Sequence, residues 1–374
     1  MFTLPTTFWS SAAGGNGANW ANYDGTGDKT AVEFSASAIR YCNFAEIDDT
    51  RALLVYRGAT GYLRARVCTV DGAGDVTFGT EAVLLSSSIV NANVALLDNT
   101  HAVAVTEVDG VVWALAIEFS GTTITTVGTA VTLETFNPST GALSVAAVSS
   151  TEFIAGYASS TLGRAFYGSV SGTTVTAGSG INTSFNNSNF NYIAPLAAGT
   201  AIMLTNVNSG SNRLGAVLLS VSGTAPVRDT EIQLLGSPVI ANEQYIARID
   251  DNRAIGVWTQ QNDNTSWAVV ITESSGSLAF GTPEQFNSSL SEYTSIAMPN
   301  STQAVVTVGI QNVEIETTVI EISGTTLNAL TNYTNATTDK EYVTNIQVGT
   351  DTVLIAYEDD NDSSKGKVIS ARVT

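Results

Sequence analysis

The run Asn99–Gly110, NTHAVAVTEVDG, places an alternating apolar stretch between two polar turns. Its core phrase returns along the whole chain: TRALLVY from Thr50, THAVAVT from Thr100, TEFIAGY from Thr151, TAIMLTN from Thr200, NRAIGVW from Asn252, TQAVVTV from Thr302 and DTVLIAY from Asp351. Successive starts lie 50, 51, 49, 52, 50 and 49 residues apart. Self-similarity at a step of about 40–50 residues is what four-stranded propeller blades produce. A second marker keeps the same step, with SGTT at Ser120, Ser171 and Ser323, SGTA at Ser222 and the weaker SSGS at Ser274.

Within one period, Val90 to Thr132 reads as four short strands separated by the turns LDNT, VDG and SGTT. Asp-Gly and Ser-Gly pairs tolerate the positive φ that tight hairpins demand. The segments between them, such as VWALAIEF, have strand length and β-branched or aromatic enrichment. The expected fold is all-β, a seven-bladed β-propeller of four-stranded antiparallel blades. The last repeat supplies only three strands, YVTNIQV, TVLIAYE and GKVISARVT, whereas DKTAVEFSAS from Asp28 is strand-like and unassigned. Lys29–Ser37 is therefore predicted to complete the blade of residues 342–374, removing an open edge. This divides the chain into an N-terminal arm, 1–28, and a propeller, 29–374.

A net charge of −19, from 15 basic and 34 acidic residues, lacks the clustered Lys and Arg that phosphate contacts need, so no nucleic acid is expected as a partner. Apolar content of 44% and mean hydropathy of +0.15 suit a large β core. No window approaches the ~18 apolar residues of a membrane helix, and no membrane insertion is expected. MFTLPTTFWSSAAGG has no basic residue after Met1 and does not read as a secretory signal. Cys42 and Cys68 fall on the first and third strands of one blade, roughly 9–10 Å apart at the usual strand spacing. A disulfide needs about 7 Å or less between Cα atoms, so two buried thiols are expected.

Candidate chemistry is sparse. The single histidine, His101, stands where other copies carry Arg51, Glu152, Ala201, Arg253 or Gln303, the pattern of a solvated turn position. Nucleophilic triads would depend on that one imidazole. Two cysteines and one histidine do not make a zinc set. EDDNDSSKG from Glu358 faintly resembles a calcium loop, but Lys365 and Lys367 intrude and the closing Glu is missing, so it reads as an acidic hairpin tip. Ser-x-Asp-x-Gly-x-x-Trp boxes, WD pairs and kelch double glycines are absent. No catalytic residue, metal ligand or cofactor site is assigned. Tyr41, Tyr192, Tyr245, Tyr293 and Tyr342 recur at the start of their periods and are expected to fill gaps between blades.

What varies between copies is the pair of connections sharing one face, between strands two and three and between blades. Variable loops on a rigid ring are where recognition concentrates. Tyr62, Asn187, Phe190, Asn206, Asn208, Asn264 and Trp267 are the binding candidates there, offering amides and flat rings.

The opening LPTTFWSS, the lysine-poor blades rich in Gly, Ser, Thr and Asn, and the lack of an export signal together resemble propeller-like structural proteins of tailed bacteriophages. That resemblance implies a non-enzymatic virion protein made in the host cytoplasm, in a tail fibre, tail tip or head decoration. Its partners would be other virion proteins and a host-surface glycan or protein. The arm would dock the ring onto the particle through Phe8, Trp9, Trp20 and Tyr23. Two other readings stand beside it: a free lectin-like carbohydrate-binding propeller, and a carbohydrate-cleaving enzyme using two of the carboxylates.

Overall fold

The computed structural model describes residues 20–21, 31–135, 138–159, 162–186, 191–207, 213–234, 241–260, 264–288, 291–310, 314–336 and 340–373. Over these residues the chain is a β-propeller of seven four-stranded antiparallel blades. The first strands are the later part of Val32–Asp48, then Ala92–Leu96, Pro138–Ala147, Asn191–Pro195, Ala241–Arg248, Ser291–Asn300 and Lys340–Val348. Each neighbours the first strand of the next blade, and the seventh neighbours the first, so together they line a closed central channel.

The repeated phrase forms the second strands: Arg51–Gly58, His101–Val108, Glu152–Ser159, Thr200–Val207, Arg253–Gln260, Gln303–Ile310 and Thr352–Asp359. Each lies inside its blade, and each blade is covered on both faces by its neighbours. That double burial explains the nearly continuous apolar run. Alternate residues point to opposite seams. Ala102 and Ala104 join the core shared with blade one, while Val103 and Val105 join the core shared with blade three. The same rule holds in blade seven, where Val353 and Ile355 face blade six and Leu354 and Ala356 face blade one. Among the described residues there are seven such inter-blade cores, one per seam. Fully burying one Val, Leu or Ile side chain contributes about 1.5–3 kcal/mol, so these seams are the main source of cohesion.

Nearer the channel, amide side chains of first strands reach back to second-strand carbonyls of the preceding blade. Asn191 Nδ2 donates to Tyr157 O (2.6 Å), Gln244 Nε2 to Leu204 O (3.2 Å) and Asn345 Nδ2 to Val305 O (3.0 Å). All three amides are buried, where a bonded polar group fixes the relative position of two blades and an unbonded one is costly.

Closure occurs where the sequence places it. Val32–Asp48 is one long strand serving two blades: Val32 to Ala38 pairs with Val368 to Lys365 of blade seven, and Ile39 to Asp48 pairs with Gly58 to Arg51 of blade one. Phe34 anchors the join, being 1% exposed and set edge-on to Tyr56 at 5.0 Å. Residues 29 and 30 of the expected segment lie outside the described residues. One boundary shifts, because Trp20–Ala21, assigned to the arm from sequence, pairs with Val373 and Arg372 and so belongs to blade seven. Phe8, Trp9 and Tyr23 lie outside the described residues. Both cysteines are buried and free, as expected. Burial pushes the Cys68 thiol up to about 12 and the Cys42 thiol higher still, leaving neither a nucleophile near neutral pH.

Candidate recognition face

Antiparallel blades give the ring two unlike faces. The turns from strand one to two and from three to four share one, the turn face. The connections from strand two to three and from blade to blade share the other, the loop face.

On the turn face the recurring threonine has a local cause. Its N–H and hydroxyl both donate to a side chain two residues earlier: Thr50 to Asp48 Oδ1 (3.0 and 3.0 Å), Thr100 to Asp98 Oδ1 (2.7 and 2.8 Å), and Thr302 to Asn300 Oδ1 (2.9 and 2.7 Å). These are side-chain-mimicked turns, which Asp and Asn form readily. Partial burial pushes the Asp250 carboxyl up, but the Arg253 guanidinium and the Asn252 and Arg253 N–H groups outweigh it and hold the acid below its ordinary range. The next residue then bridges blades. Arg51 Nη1 donates to Gly121 O of the blade-two SGTT turn (2.6 Å), and Arg253 Nη1 to Gly324 O of the blade-six turn (2.8 Å). A Cβ on Gly128 or Gly178 would collide with the carbonyl of Thr173 or Thr224, in the Ser-Gly-Thr turn of the following blade. In blades one and five the two sequence markers thus meet in one inter-blade clasp. His101 stands at the equivalent position of blade two, its Nδ1 within 3.0 Å of Asp98 and 2.9 Å of Thr100 Oγ1 of its own turn.

The loop face lacks that uniformity. One register position near the loop end of the third strand holds, blade by blade, Arg64, Trp113, Arg164, Leu214, Trp267, Glu316 and Lys367, opposite Tyr56, Thr106, Tyr157, Asn206, Trp258, Val308 and Tyr357 of the second strand. The charged members are matched locally. Arg64 and the Tyr56 hydroxyl both donate to Glu81. Arg164 pairs with Glu134 across the seam at 2.5 Å and lies over the Phe166 ring. Lys367 pairs with Asp359 at 2.8 Å and Asp362 at 2.9 Å. The acidic tip from Glu358 is therefore an ion-paired hairpin, with Lys365 reaching Glu33 of the closing strand at 3.1 Å. Among the described residues no group of three His, Cys, Asp or Glu side chains is placed to hold a metal.

The seven binding candidates separate. Tyr62 and Asn264 are half-buried loop-face residues, Asn264 with φ of 54°. Trp267 is on the variable position but packs against the core of blades four and five, its Nε1 donating to Thr265 Oγ1 (2.8 Å). Asn206 is not displayed: it is 2% exposed, at a second-strand register position buried in every blade, where four of the other six carry Tyr or Trp. Asn187, Phe190 and Asn208 lie outside the described residues.

Sequence reasoning singled out the recurring tyrosines as fillers, and they do meet across seams. Tyr342 is 4.7 Å from Tyr41 and 5.4 Å from Tyr293 by ring centroid, and Tyr192 is 4.2 Å from Tyr245. They lie early in first strands, toward the loop-face end of the channel. Tyr41 and Tyr342 both take φ of 49° at bulges, an unusual conformation for a bulky residue. Composition gave no hint of Glu107. This residue is the penultimate one of the second strand of blade two, is 5% exposed, and burial pushes its carboxyl up to about 7. Its strand reads as AVAVTEV, so a count of the register toward the buried loop end would have found it.

No protein-family model and no curated protein matches the chain significantly. Solved structures do. A protein of unknown function from Dyadobacter fermentans superposes with TM-score 0.54 at 10% identity, covering 93% of this chain and 98% of that one. The WD40 domain of Toxoplasma gondii coronin gives 0.57 at 9% identity, covering 92% and 86%. A protein described as a candidate 6-phosphogluconolactonase from Bacteroides uniformis gives 0.60 at 10% identity, covering 86% and 95%. At such identity the likeness is one of fold, and the fold it shows is the β-propeller.

Proposed function

We propose that this protein is a non-enzymatic recognition ring whose loop face binds its target. One observation carries the reading: an Asp or Asn seat recurs in the turn-face turns of blades one, two, five and six, while one register position near the loop end of the third strand changes among Arg, Trp, Leu, Glu and Lys. Variable side chains and loops on a rigid, repeated frame are where binding concentrates. The setting that best fits the lysine-poor, Gly/Ser/Thr/Asn-rich composition is a tailed-phage virion, with a host-surface glycan or protein as target. Binding of the labelled full chain to host cells and to a glycan array tests it. Binding lost with Tyr62→Ala but kept with Thr302→Ala supports the reading, and equal loss with both overturns it. Immunogold labelling of intact particles tests the virion assignment.

A second reading, a hydrolase, has one observation in its favour. Burial raises the Glu107 carboxyl to about 7, so that it keeps a proton part of the time near neutral pH, as a general acid must. Release of reducing ends from host polysaccharide by the wild type, abolished in Glu107→Gln, would establish it in place of the first.

A further inference from the structure

Charge is unevenly placed in this chain. Overall 34 acids stand against 15 basic residues, yet the loop half of blade one, residues 39–43, 54–66 and 79–91, holds Arg40, Arg57, Arg64 and Arg66 against Glu81 alone. Glu81 is taken by Arg64. Among the described residues the guanidinium groups of Arg40, Arg57 and Arg66 have neither an ion pair nor a hydrogen bond. Elsewhere on this face an acid is supplied to each charged partner, Glu134 to Arg164 and Asp359 to Lys367.

Register brings two of these cations together. Arg40 of the first strand stands directly opposite Arg57 of the second, and Arg57 opposite Leu63 of the third. Directly opposed Cβ atoms lie about 5 Å apart, and like charges so placed destabilise a strand pair. Leu63 belongs to the core between blades one and two, so this row faces blade two. On blade two, Trp113 continues the row of Ile117 and Leu115 that faces back. Arg57 Nε and Trp113 Nε1 are both buried without an acceptor. Two donors on facing blades are thus desolvated and unmet, a cost that an incoming acceptor would relieve. Arg40 is exposed and Arg57 half-buried, so the pair opens to solvent.

We propose that the loop end of the seam between blades one and two is an oxyanion site, in which Arg40 and Arg57 together hold one carboxylate or sulfate group of an acidic host-surface polysaccharide. A guanidinium fork matches such a group with two parallel hydrogen bonds. One anion set between the two cations also removes their repulsion. The excess of positive charge is local and the ring as a whole is acidic, so a dense polyanion such as nucleic acid is repelled outside the patch, whereas a sugar chain with widely spaced charges is not. Tyr62, in the hairpin that joins Arg57 to Leu63, and the Trp113 ring supply flat apolar surface for the sugar. The polysaccharide rests on the recognition reading above; the oxyanion site rests on the Arg40–Arg57 pair.

Two measurements on the full chain test it. By calorimetry, inorganic sulfate should fill one saturable site on the wild type and bind at least tenfold more weakly to Arg40→Gln and to Arg57→Gln. The urea midpoints of both variants should stay at or above the wild-type value, because the repulsion is gone. Arg213→Gln removes a blade-four arginine that is also without an ion pair among the described residues, and should leave sulfate binding within twofold. Equal weakening in Arg213→Gln, or no saturable site on the wild type, overturns the oxyanion site. In the second measurement an immobilised glucuronate-bearing polysaccharide should bind the wild type at least tenfold more tightly than its carboxyl-reduced form does, and Arg57→Gln should abolish that preference. Equal binding of the two forms, or tighter binding of duplex DNA or an acidic peptide, overturns the choice of ligand. Sulfate binding as expected with no capture of polysaccharide or host cells would sink the recognition reading and leave the oxyanion site standing.

Discussion

The two faces of this ring are built from the same strands and obey different rules. On the turn face the same kind of turn seat recurs in blades one, two, five and six. Asp or Asn seats the turn, and in blades one and five an Arg reaches the Gly of the following blade's turn. On the loop face the side chains differ from blade to blade. The seats on the turn face bond the backbone of their own turns, whereas the third-strand ends at the loop face carry side chains of different chemistry.

The largest expected effect tests whether the join of blades one and seven is as firm as the seams elsewhere. Phe34 belongs to a terminal segment yet is as buried as Phe119 in the middle of the chain. Phe34→Ala should cost about 3–5 kcal/mol in urea unfolding, as an internal core deletion does. A loss below about 1 kcal/mol would mark a loose latch.

Next comes the pH response of Glu107, which sharpens the contrast by showing a loop-end group whose burial destabilises the fold. The unfolded carboxyl ionises near 4.5 and the folded one near 7, so the folded state holds an extra proton between those values. Stability from this group therefore falls as pH rises from about 4.5 to 7, by up to about 3 kcal/mol. Glu107→Gln should match the wild type below pH 4.5 and exceed it by up to about 3 kcal/mol at pH 8. A constant difference across that range would contradict the assignment.

Gly128 probes the clasp itself. Gly128→Ala drives a methyl into the Thr173 carbonyl and should cost about 1–3 kcal/mol by thermal unfolding. Gly72, with open space around it, should tolerate Ala within about 0.5 kcal/mol. Smaller again, Asp250→Ala removes the seat of one turn and should cost about 1 kcal/mol at most, since the group is partly solvated. The carboxyls of Asp48, Asp98 and Asp250 are held below their ordinary pKa, so their contribution is present above pH 4 and fades as pH falls below it. The smallest stability change belongs to Tyr62→Ala on the loop face, about 0.5 kcal/mol, with loss of target binding as its main readout.

The fold was legible because double burial forces one apolar pattern on every second strand, and because a turn that must touch its neighbour repeats its residues. Even the closing strand was readable, as a strand-like surplus at one end facing a deficit at the other. Asn206 was not, since its polar side chain suggested display while its register places it in the core. Trp267 has the right face but spends its indole on packing and on Thr265. Glu107 was invisible to composition, because its acidity depends on burial that only the packed blade creates. The split of the fourth strand into Val76–Phe78 and Ala82–Leu85, and its counterparts in blades two and five, also left no periodic mark, since outer strands pack on one side only.

The join that makes these two faces is most directly tested by hydrogen exchange on the full chain, read by mass spectrometry over residues 32–38. A ring sewn shut by its own leading strand should protect these amides as well as those of Thr174–Asn186, the fourth strand of an internal blade. Exchange at the rate of free peptide over 32–38, with 39–48 still protected, would mean that blade seven is left open.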